Sequence, residues 1–133
     1  MPLGLWRRRD YGDHRGGTVP RGEIGYLTLH VRDGARAVRL FEGLLGWHFD
    51  EARPNGYRHV PNSSPPVGVY GGEDQETRVT WYVRVGDADR LTAEVAGLDG
   101  SVVSVSDSPS GRTATCIDDQ GMPFYLWQAA PGY

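Results

Sequence analysis

The stretch GYLTLHVRDGARAVRLFEGLLG, residues 25–46, returns without a gap 54 positions later as VTWYVRVGDADRLTAEVAGLDG, residues 79–100. Each copy has an alternating apolar segment, an aspartate, a helical apolar pattern and a final glycine. Two copies of such a unit predict a single architecture that is used twice. Six aligned pairs are identical: Val31/Val85, Asp33/Asp87, Arg36/Arg90, Gly43/Gly97, Leu44/Leu98 and Gly46/Gly100.

Each copy is predicted to form a strand followed by a helix. In the first copy, apolar residues at 27, 29 and 31 alternate with Tyr26, Thr28 and His30, so the two sets lie on opposite strand faces. A helix is predicted over residues 34–45, with Asp33 as its N-cap. Its apolar stripe packs on the apolar strand face, which turns the polar and aromatic face away from the helix. The predicted stripe is Ala37, Val38, Phe41, Leu44 and Leu45 in the first copy, and Leu91, Val95 and Leu98 in the second.

The other regular elements are predicted to be strands. The fold class is therefore α+β, with two βαβββ modules that form a cup-shaped mixed sheet carrying its helices on the outer face. We predict one domain over 23–128, with modules at 23–72 and 78–128, a flexible or partner-packing leader at 1–22 and a tail at 129–133. The further strands are predicted at 47–51, 57–60, 67–70, 101–105, 111–117 and 122–128.

Composition excludes several classes of function. The 133 residues carry a net charge of −3, which does not indicate a nucleic-acid surface. All 14 basic residues are arginine, so a lysine Schiff base or a P-loop lysine is excluded. The single cysteine, Cys116, allows no internal disulfide and predicts a cytoplasmic protein with a buried, inert thiol. No apolar run is long enough to cross a membrane, and no membrane partner is expected.

Three residues are candidates for catalysis. His30 lies on the polar face of the first strand as a general base, or alternatively as a hydrogen-bonded histidine that contacts a ligand. Arg84 aligns with His30 in the repeat and is suited to a carboxylate, phenolate or quinone oxygen, or alternatively to a rim salt bridge. His59 is a further candidate, alone or with His30 in a two-histidine metal site.

Aromatic and polar residues are expected to line the cup. Aromatic walls with a few polar groups suit a flat or extended organic ligand. Some of these side chains are expected to fill the cup themselves. The predicted ligand-binding residues are Tyr26, Thr28, His30, Tyr70, Tyr82, Arg84, Arg112, Tyr125 and Trp127.

Residues 23–128, through GYLTLHVRDGARAVRLFEGLLGW, VTWYVRVGDADRLTAEVAGLDG and GRTATCIDDQGMPFYLWQ, resemble the vicinal oxygen chelate superfamily. That superfamily includes glyoxalase I, bleomycin-resistance proteins and extradiol dioxygenases. The resemblance implies paired βαβββ modules and, in the enzymes, a divalent metal held by His, Glu or Gln. The aligned positions here are Tyr26, Tyr70, Thr80 and Tyr125, so no metal and no other cofactor are predicted.

The first hypothesis is therefore a binding protein that sequesters a hydrophobic or aromatic small molecule, as in resistance to a drug or natural product. The alternative is a small-molecule enzyme, either a metal-free cyclase or isomerase, or a divalent-metal lyase or dioxygenase. A third interpretation is a structural or regulatory protein whose cup is packed solid. In each case a homodimer is expected. The resemblance implies it, because small two-module members of this superfamily often complete their cups with elements of a second chain, and an exposed sheet edge needs a cover.

Overall fold

The computed structural model describes residues 22–133, and all but one residue of the predicted leader lies outside this range. The described residues form two compact units. The first unit is Ile24–Tyr82, and the second is Val83–Tyr133 together with residues 22–23.

The first unit is a four-stranded segment of sheet with one helix. Its strand order is β2-β3-β1-β4, with β1 parallel to β3 and β2 antiparallel to β3. The last two residues of β4 already belong to the second unit. The elements are β1 Glu23–Val31, α1 Gly34–Leu45, β2 Tyr57–Val60, β3 Val67–Gly71 and β4 Arg78–Arg84.

The second unit places a short helix before an antiparallel meander. Its strand order is β7-β6-β5, and β6 is antiparallel to both of its neighbours. With parallel and antiparallel pairings both present, the predicted α+β class with strands of mixed direction is confirmed. The elements are α2 Ala88–Val95, a 3₁₀ turn Ala96–Leu98, β5 Ser101–Ser108, β6 Gly111–Ile117 and β7 Pro123–Ala129.

Each helix begins directly after an aspartate that caps it, as predicted for the first helix. The Asp33 carboxylate accepts a hydrogen bond from the Arg36 backbone N–H at 3.1 Å. The Asp87 carboxylate accepts one from the Arg90 N–H at 3.0 Å. Such caps satisfy backbone donors that have no partner within the helix. At the other end of α1, Gly46 adopts a φ of 70° and its N–H donates to the Glu42 carbonyl.

The predicted strand at residues 47–51 is wrong. The segment instead runs beside β2 with two isolated backbone hydrogen bonds, from Asp50 N–H to the His59 carbonyl and from Arg53 N–H to the Tyr57 carbonyl. These bonds are 2.9 and 2.8 Å long. A turn at Gly56 interrupts any longer ladder, since its N–H bonds back to Arg53.

The prediction that Leu44 and Leu98 face inward is also wrong. Leu44 is 70% exposed and Leu98 is 76% exposed, and Leu45, which was predicted in the same stripe, is 51% exposed. Residues four apart on a helix share one face, so Leu44 continues the exposed row of Arg36 and Leu40 rather than the half-buried row of Phe41. Leu98 extends the row of Arg90 and Glu94 in the same way, and both of those are exposed.

The apolar cores of the two units differ in size. In the first unit, Val60, Val67 and Val69 on β2 and β3 are almost completely buried, whereas α1 has no fully buried residue. In the second unit, helix and sheet share one cluster, with Leu91 and Phe124 packed against it. That cluster consists of Val85, Ala88, Val95, Ala114, Cys116 and Leu126, and it confirms the predicted burial of the cysteine.

Candidate functional site

A glycine forms the floor of the polar and aromatic face of the first unit. Gly68 on β3 is in register with Thr28 on β1 and His59 on β2, so the three positions share one face. A Cβ at Gly68 would overlap the Tyr57 hydroxyl and lie 2.6 Å from the Tyr26 hydroxyl. Only glycine therefore leaves room for two tyrosine hydroxyls above the centre of the sheet.

Four side chains above this glycine form a hydrogen-bonded chain, here called the Tyr26 network: Thr28, Tyr57, Tyr26 and His59. The Tyr26 hydroxyl bonds to the Tyr57 hydroxyl and, at 2.9 Å, to His59 Nδ1. The Thr28 hydroxyl also bonds to Tyr57. Tyr82 packs edge-on against Tyr26, with ring centroids 6.1 Å apart. The network thus joins strands β1 and β2 across Gly68, and a ring of β4 packs against it.

Both phenols of the network stay protonated. Burial, then the hydrogen bond to Tyr57, raises the pKa of Tyr26 far above its usual value. Burial also raises the pKa of Tyr57, although its hydrogen bond with Tyr26 and the positive charge of Arg53 oppose that rise. The Arg53 guanidinium lies over the Tyr57 ring at 5.1 Å. Each tyrosine therefore retains a hydroxyl proton to donate near neutral pH.

His30 belongs to a second, separate set of hydrogen bonds. Its Nδ1 lies 3.0 Å from Gln75 Oε1 and its Nε2 lies 3.2 Å from Thr80 Oγ1, so both ring nitrogens have partners. Burial lowers the pKa of His30, the Gln75 hydrogen bond opposes this, and the charge of Arg78 adds to it. The geometry is that of the hydrogen-bonded alternative, with Tyr70 6.0 Å away as an aromatic neighbour.

His59 differs from His30 in having a ring nitrogen available. Its Nδ1 is bonded to Tyr26, and its ring stacks on Tyr26 with centroids 5.7 Å apart and an interplanar angle of 10°. Within residues 22–133, Nε2 has no hydrogen-bond partner. His59 is also only half-buried. It is therefore better placed than His30 for proton transfer, through Nε2.

Arg84 and Trp127 are brought together in the second unit. The Arg84 guanidinium lies 5.4 Å from the centre of the Trp127 ring, and the indole N–H donates to the Ser110 carbonyl at 3.0 Å. None of the ion pairs found in the described part of the chain includes Arg84. The rim salt bridge is thus not formed there, and Arg84 remains a candidate for an anionic group. Tyr125 lies on the same strand face as Trp127, opposite Leu126 of the core.

Arg112 is held by acidic side chains of its own unit. Its guanidinium contacts Asp107 at 2.7 Å and Asp89 at 2.9 Å, and these hydrogen bonds raise its pKa. Its register partner Gln128 accepts from the N–H of Ala88 at the start of α2. Arg112 therefore lies on the helix side of the strand, away from Trp127, and is not carried into the proposed site.

The side chains at the aligned metal positions do not fit a divalent ion. Tyr26 and Thr80 already bond to His59 and His30 respectively, and phenol and alcohol oxygens are poor ligands for such metals. In residues 22–133 there is no group of three or more His, Cys, Asp or Glu arranged to hold a metal. Both ring nitrogens of His30 and the Nδ1 of His59 already have hydrogen-bond partners, and these partners belong to two separate sets. No chemical step is therefore derived through a metal.

Sequence reasoning missed four contributors to this face. Gly68 carried a signal, because a glycine inside a strand marks a close approach of another group. Tyr57 also carried one, since it alternates with His59 on a predicted strand. Arg53 and Gln75 lie in a turn and an acidic linker, where nothing in the local pattern indicates their partners.

Comparison with known proteins identifies the fold. No family model matches the sequence, and no curated protein matches it. Among solved structures, methylmalonyl-CoA epimerase from Mycobacterium tuberculosis aligns with a TM-score of 0.61 and 17% identity, over 82% of this chain and 89% of that chain. The Streptomyces coelicolor epimerase aligns with a TM-score of 0.59 and 13% identity, over 82% and 98% of the two chains.

A dioxygenase has the same fold. The 2,2',3-trihydroxybiphenyl 1,2-dioxygenase of Sphingomonas wittichii aligns with a TM-score of 0.63 and 16% identity, over 82% of this chain and 41% of that chain. Epimerase and extradiol dioxygenase are both members of the vicinal oxygen chelate superfamily. The predicted resemblance is therefore confirmed for the fold. A search of the described residues for a helix long and apolar enough to span a membrane finds none.

Proposed function

We propose that the protein is a metal-independent enzyme that moves a proton on a small organic substrate bound at the polar and aromatic face of the first unit. The hydrogen bond between His59 Nδ1 and the Tyr26 hydroxyl carries this proposal, because it orients an imidazole whose other nitrogen is available. A base held by a second group that fixes its tautomer is a recurrent arrangement for proton transfer. This is the enzyme alternative of the sequence analysis, in its metal-free form.

The protonation pattern of the network supports a base at His59. When Nδ1–H donates to the Tyr26 oxygen, Nε2 carries a lone pair and accepts a proton from the substrate. Tyr26 then donates its own hydroxyl proton to Tyr57, with which it is hydrogen-bonded. The imidazolium formed in the reaction keeps its Nδ1–H bond to Tyr26, so no rearrangement of the network is needed.

The same pattern supplies a hydrogen-bond donor. Tyr57 accepts from Tyr26 and from Thr28, which leaves its own hydroxyl proton for a substrate oxygen. The nearby Arg53 guanidinium favours developing negative charge at that position. A base at His59 and a donor at Tyr57 suit removal of a proton next to a carbonyl group, with the enolate oxygen held by the phenol.

The substrate class follows from the surrounding rings. Tyr26, Tyr57 and Tyr82 offer aromatic surface, which suits a flat or extended organic molecule with a carbonyl group. The epimerases with this fold are named for methylmalonyl-CoA, so acyl thioesters are the first compounds to test, followed by aromatic ketones.

Proton exchange with solvent tests the proposal directly. The protein is incubated in D₂O with a panel of acyl thioesters and aromatic ketones, and loss of the α-proton is followed by ¹H NMR. We expect exchange on at least one compound, unchanged by EDTA, and reduced by about 10²-fold or more in His59→Gln. The matched control is His30→Gln, which removes a histidine of the same face and leaves the Tyr26 network in place. Exchange lost on chelation, or equal in both variants, would contradict the proposal.

Sequestration of a hydrophobic molecule is the second candidate function. It is favoured by the rings of Tyr26 and Tyr82, which pack edge-on and offer aromatic surface to a ligand. In this case a ligand binds saturably and raises the melting temperature, but no α-proton exchanges and His59→Gln has little effect. Resistance to a drug and a cytoplasmic location also remain predictions from the sequence.

A further inference from the structure

One strand face of the second unit carries an arginine among aromatic and hydroxyl side chains. Val83 and Val85 on β4 pack with the apolar cluster of that unit, so Arg84 between them lies on the opposite side of the sheet. The same alternation applies on β6 and β7, where a residue next to each member of this face is packed in the cluster. The surface, here called the Arg84 face, consists of Arg84, Thr113, Thr115, Tyr125 and Trp127.

The register of the strands sets these side chains beside one another. Thr113 is opposite Trp127, and Thr115 is opposite Tyr125. On the other side of β7, the Arg84 guanidinium lies 5.4 Å from the centre of the Trp127 ring. Because neighbouring strands are about 4.8 Å apart, a small molecule that rests against Trp127 can reach the cation on one side and a hydroxyl on the other.

Arg84 is held in place without being neutralised. A cation–π contact uses none of the N–H donors of a guanidinium, and in residues 22–133 neither a carboxylate nor a carbonyl accepts from those of Arg84. The indole of Trp127 is fixed in turn, because its N–H donates to the Ser110 carbonyl at 3.0 Å. The cation is therefore ordered before a ligand arrives, which lowers the entropic cost of binding.

The two threonines add hydroxyls that are also available. Both Thr113 and Thr115 are half-buried, and neither hydroxyl has a hydrogen-bond partner among the described residues. Their register partners on β5 are Ser106 and Ser104, so the hydroxyl surface continues to the edge of the sheet. A ligand with polar substituents would supply the partners that these hydroxyls lack.

The charge of the Arg84 face is positive, although the whole chain carries a net charge of −3. No strand position that shares this face in the second unit is an aspartate or a glutamate. Asp107 on β5 lies on the helix side, where it pairs with Arg112. A single unpaired arginine matches a monoanion, and its planar fork can donate two parallel hydrogen bonds to one carboxylate.

We propose that the Arg84 face binds a small aromatic carboxylate. The Arg84 guanidinium holds the carboxylate, the rings of Trp127 and Tyr125 contact the aromatic body, and the threonine hydroxyls bind its polar substituents. A phosphate ester is matched less well, because a dianion is usually held by several donors or charges and this face has one arginine. The site uses no residue of the Tyr26 network, so it does not depend on the proposed function.

Titration of the intact chain with benzoate tests the proposal, and the indole N–H signal of Trp127 in a ¹H–¹⁵N NMR spectrum is the readout. Trp127→Phe identifies that signal among those of the four tryptophans. We expect saturable shifts with a dissociation constant of about 1 mM or tighter. Benzamide, which has the same shape but no charge, should bind at least about tenfold more weakly. Benzoate has no α-proton, so its binding is measured independently of proton exchange.

Two arginine variants separate a local contact from a change of net charge. Arg84→Gln should weaken benzoate binding at least about tenfold, whereas Arg90→Gln should leave it unchanged. Arg90 is the matched control, because it pairs with Glu94 on α2 and its replacement removes the same charge. Arg84→Lys keeps the charge but not the planar fork, so its affinity should lie between those of the wild type and Arg84→Gln. Thermal unfolding verifies that each variant is folded.

The threonines are tested with 4-hydroxybenzoate, whose hydroxyl lies at the end of the ring opposite the carboxylate. It should bind about threefold or more tightly than benzoate. The double variant Thr113→Val/Thr115→Val keeps the shape of both side chains and removes both hydroxyls, so it should abolish this advantage and leave the affinity for benzoate unchanged. An advantage that persists in the valine variant would remove the threonines from the site.

Three results would overturn the proposal as a whole. The first is the absence of saturable binding by any of these carboxylates. The second is an equal loss of affinity in Arg84→Gln and Arg90→Gln, which would show an effect of net charge alone. The third is tighter binding of phenyl phosphate than of benzoate, which would assign the anion at Arg84 to a phosphate ester instead.

Discussion

The two units contain the same strand–helix pattern but bury different chemistry. All the fully buried polar side chains of residues 22–133 belong to the first unit: Thr28, His30 and Thr80 are 6%, 8% and 3% exposed. In the second unit the buried side chains form an apolar cluster that joins α2 to its strands. One copy of the repeat thus provides a hydrogen-bonded face, and the other provides a conventional core.

This difference shows how a repeated fold can separate two requirements. Buried polar groups are costly unless they are fully hydrogen-bonded, so the first unit depends on specific geometry at each residue. An apolar core tolerates changes of shape as long as volume is kept. Substitutions should therefore have sharper, more specific effects in the first unit than in the second.

The largest expected effect is that of Gly68→Ala. The new methyl group would overlap the Tyr57 hydroxyl and press on Tyr26, so the Tyr26 network must open and β3 must shift. Overpacking of this kind costs about 1–3 kcal/mol, and here the hydrogen bonds are lost as well. Urea unfolding should show the loss of stability, and tyrosine fluorescence should report the opened network in the native state.

Gly97→Ala in the second unit is the control for this change. An added Cβ at Gly97 meets no atom within 4 Å, and its φ is not in the left-handed region. Alanine there should leave stability unchanged or raise it slightly, by up to about 1 kcal/mol. Equal losses in the two glycine variants would contradict the contrast between the units.

The second prediction concerns pH and also separates the units, because every described histidine lies in the first one. Burial holds the folded-state pKa of His30 below its usual value of about 6.5, so the unfolded chain binds the proton first. Stability should therefore be independent of this group above about pH 6.5. It should fall as the pH decreases below that value, by at most about 1.4 kcal/mol per pH unit.

Comparison with His30→Gln isolates this contribution. Glutamine does not titrate, so the difference in unfolding free energy between the two proteins should shrink as the pH falls from about 7.5 to about 5.5. Carboxylates titrate in both proteins and cancel in the difference. A difference that stays constant over this range would show that His30 is not buried in its neutral form.

Much of the fold was predictable because local signals and the repeat agreed. The bounds of α1 follow from Asp33 and Gly46, whose cap and turn chemistry do not depend on distant residues. The strand predicted at 47–51 failed because an alternating pattern cannot show whether a neighbouring strand is long enough to pair. The prediction that Leu44 and Leu98 face inward failed for a related reason. Helical periodicity shows which residues share a row, but it does not show which row meets the sheet.

The site was predictable as a face but not as a network. Alternation places Tyr26, Thr28 and His30 together, and this does not require knowledge of the tertiary fold. The hydrogen bonding of His30 was not predictable, because Gln75 contacts it from a linker 45 residues away. No sequence pattern connects those two residues, and the same holds for Tyr26 and Tyr57, which meet only because Gly68 lies between their strands.

The smallest expected effects come from the two helix caps, which are the same device in both units. Asp33→Ala and Asp87→Ala each remove a side-chain acceptor for a backbone N–H, at a cost of about 1 kcal/mol. The consequences should differ in kind. Helix α2 is anchored by the buried Ala88 and Val95, whereas α1 has no fully buried residue. Loss of its cap should therefore let α1 fray locally.

Hydrogen exchange of the helix amides distinguishes these outcomes. In Asp33→Ala, the first-turn amides of α1 should lose protection well beyond the change in global stability, while the strands keep theirs. In Asp87→Ala, protection in α2 should fall only in step with the global stability. Asparagine retains the capping acceptor, so Asp33→Asn should restore the α1 amides. Greater fraying in α2 than in α1 would mean that burial does not anchor the second helix, and the contrast between the units would then rest on the polar face alone.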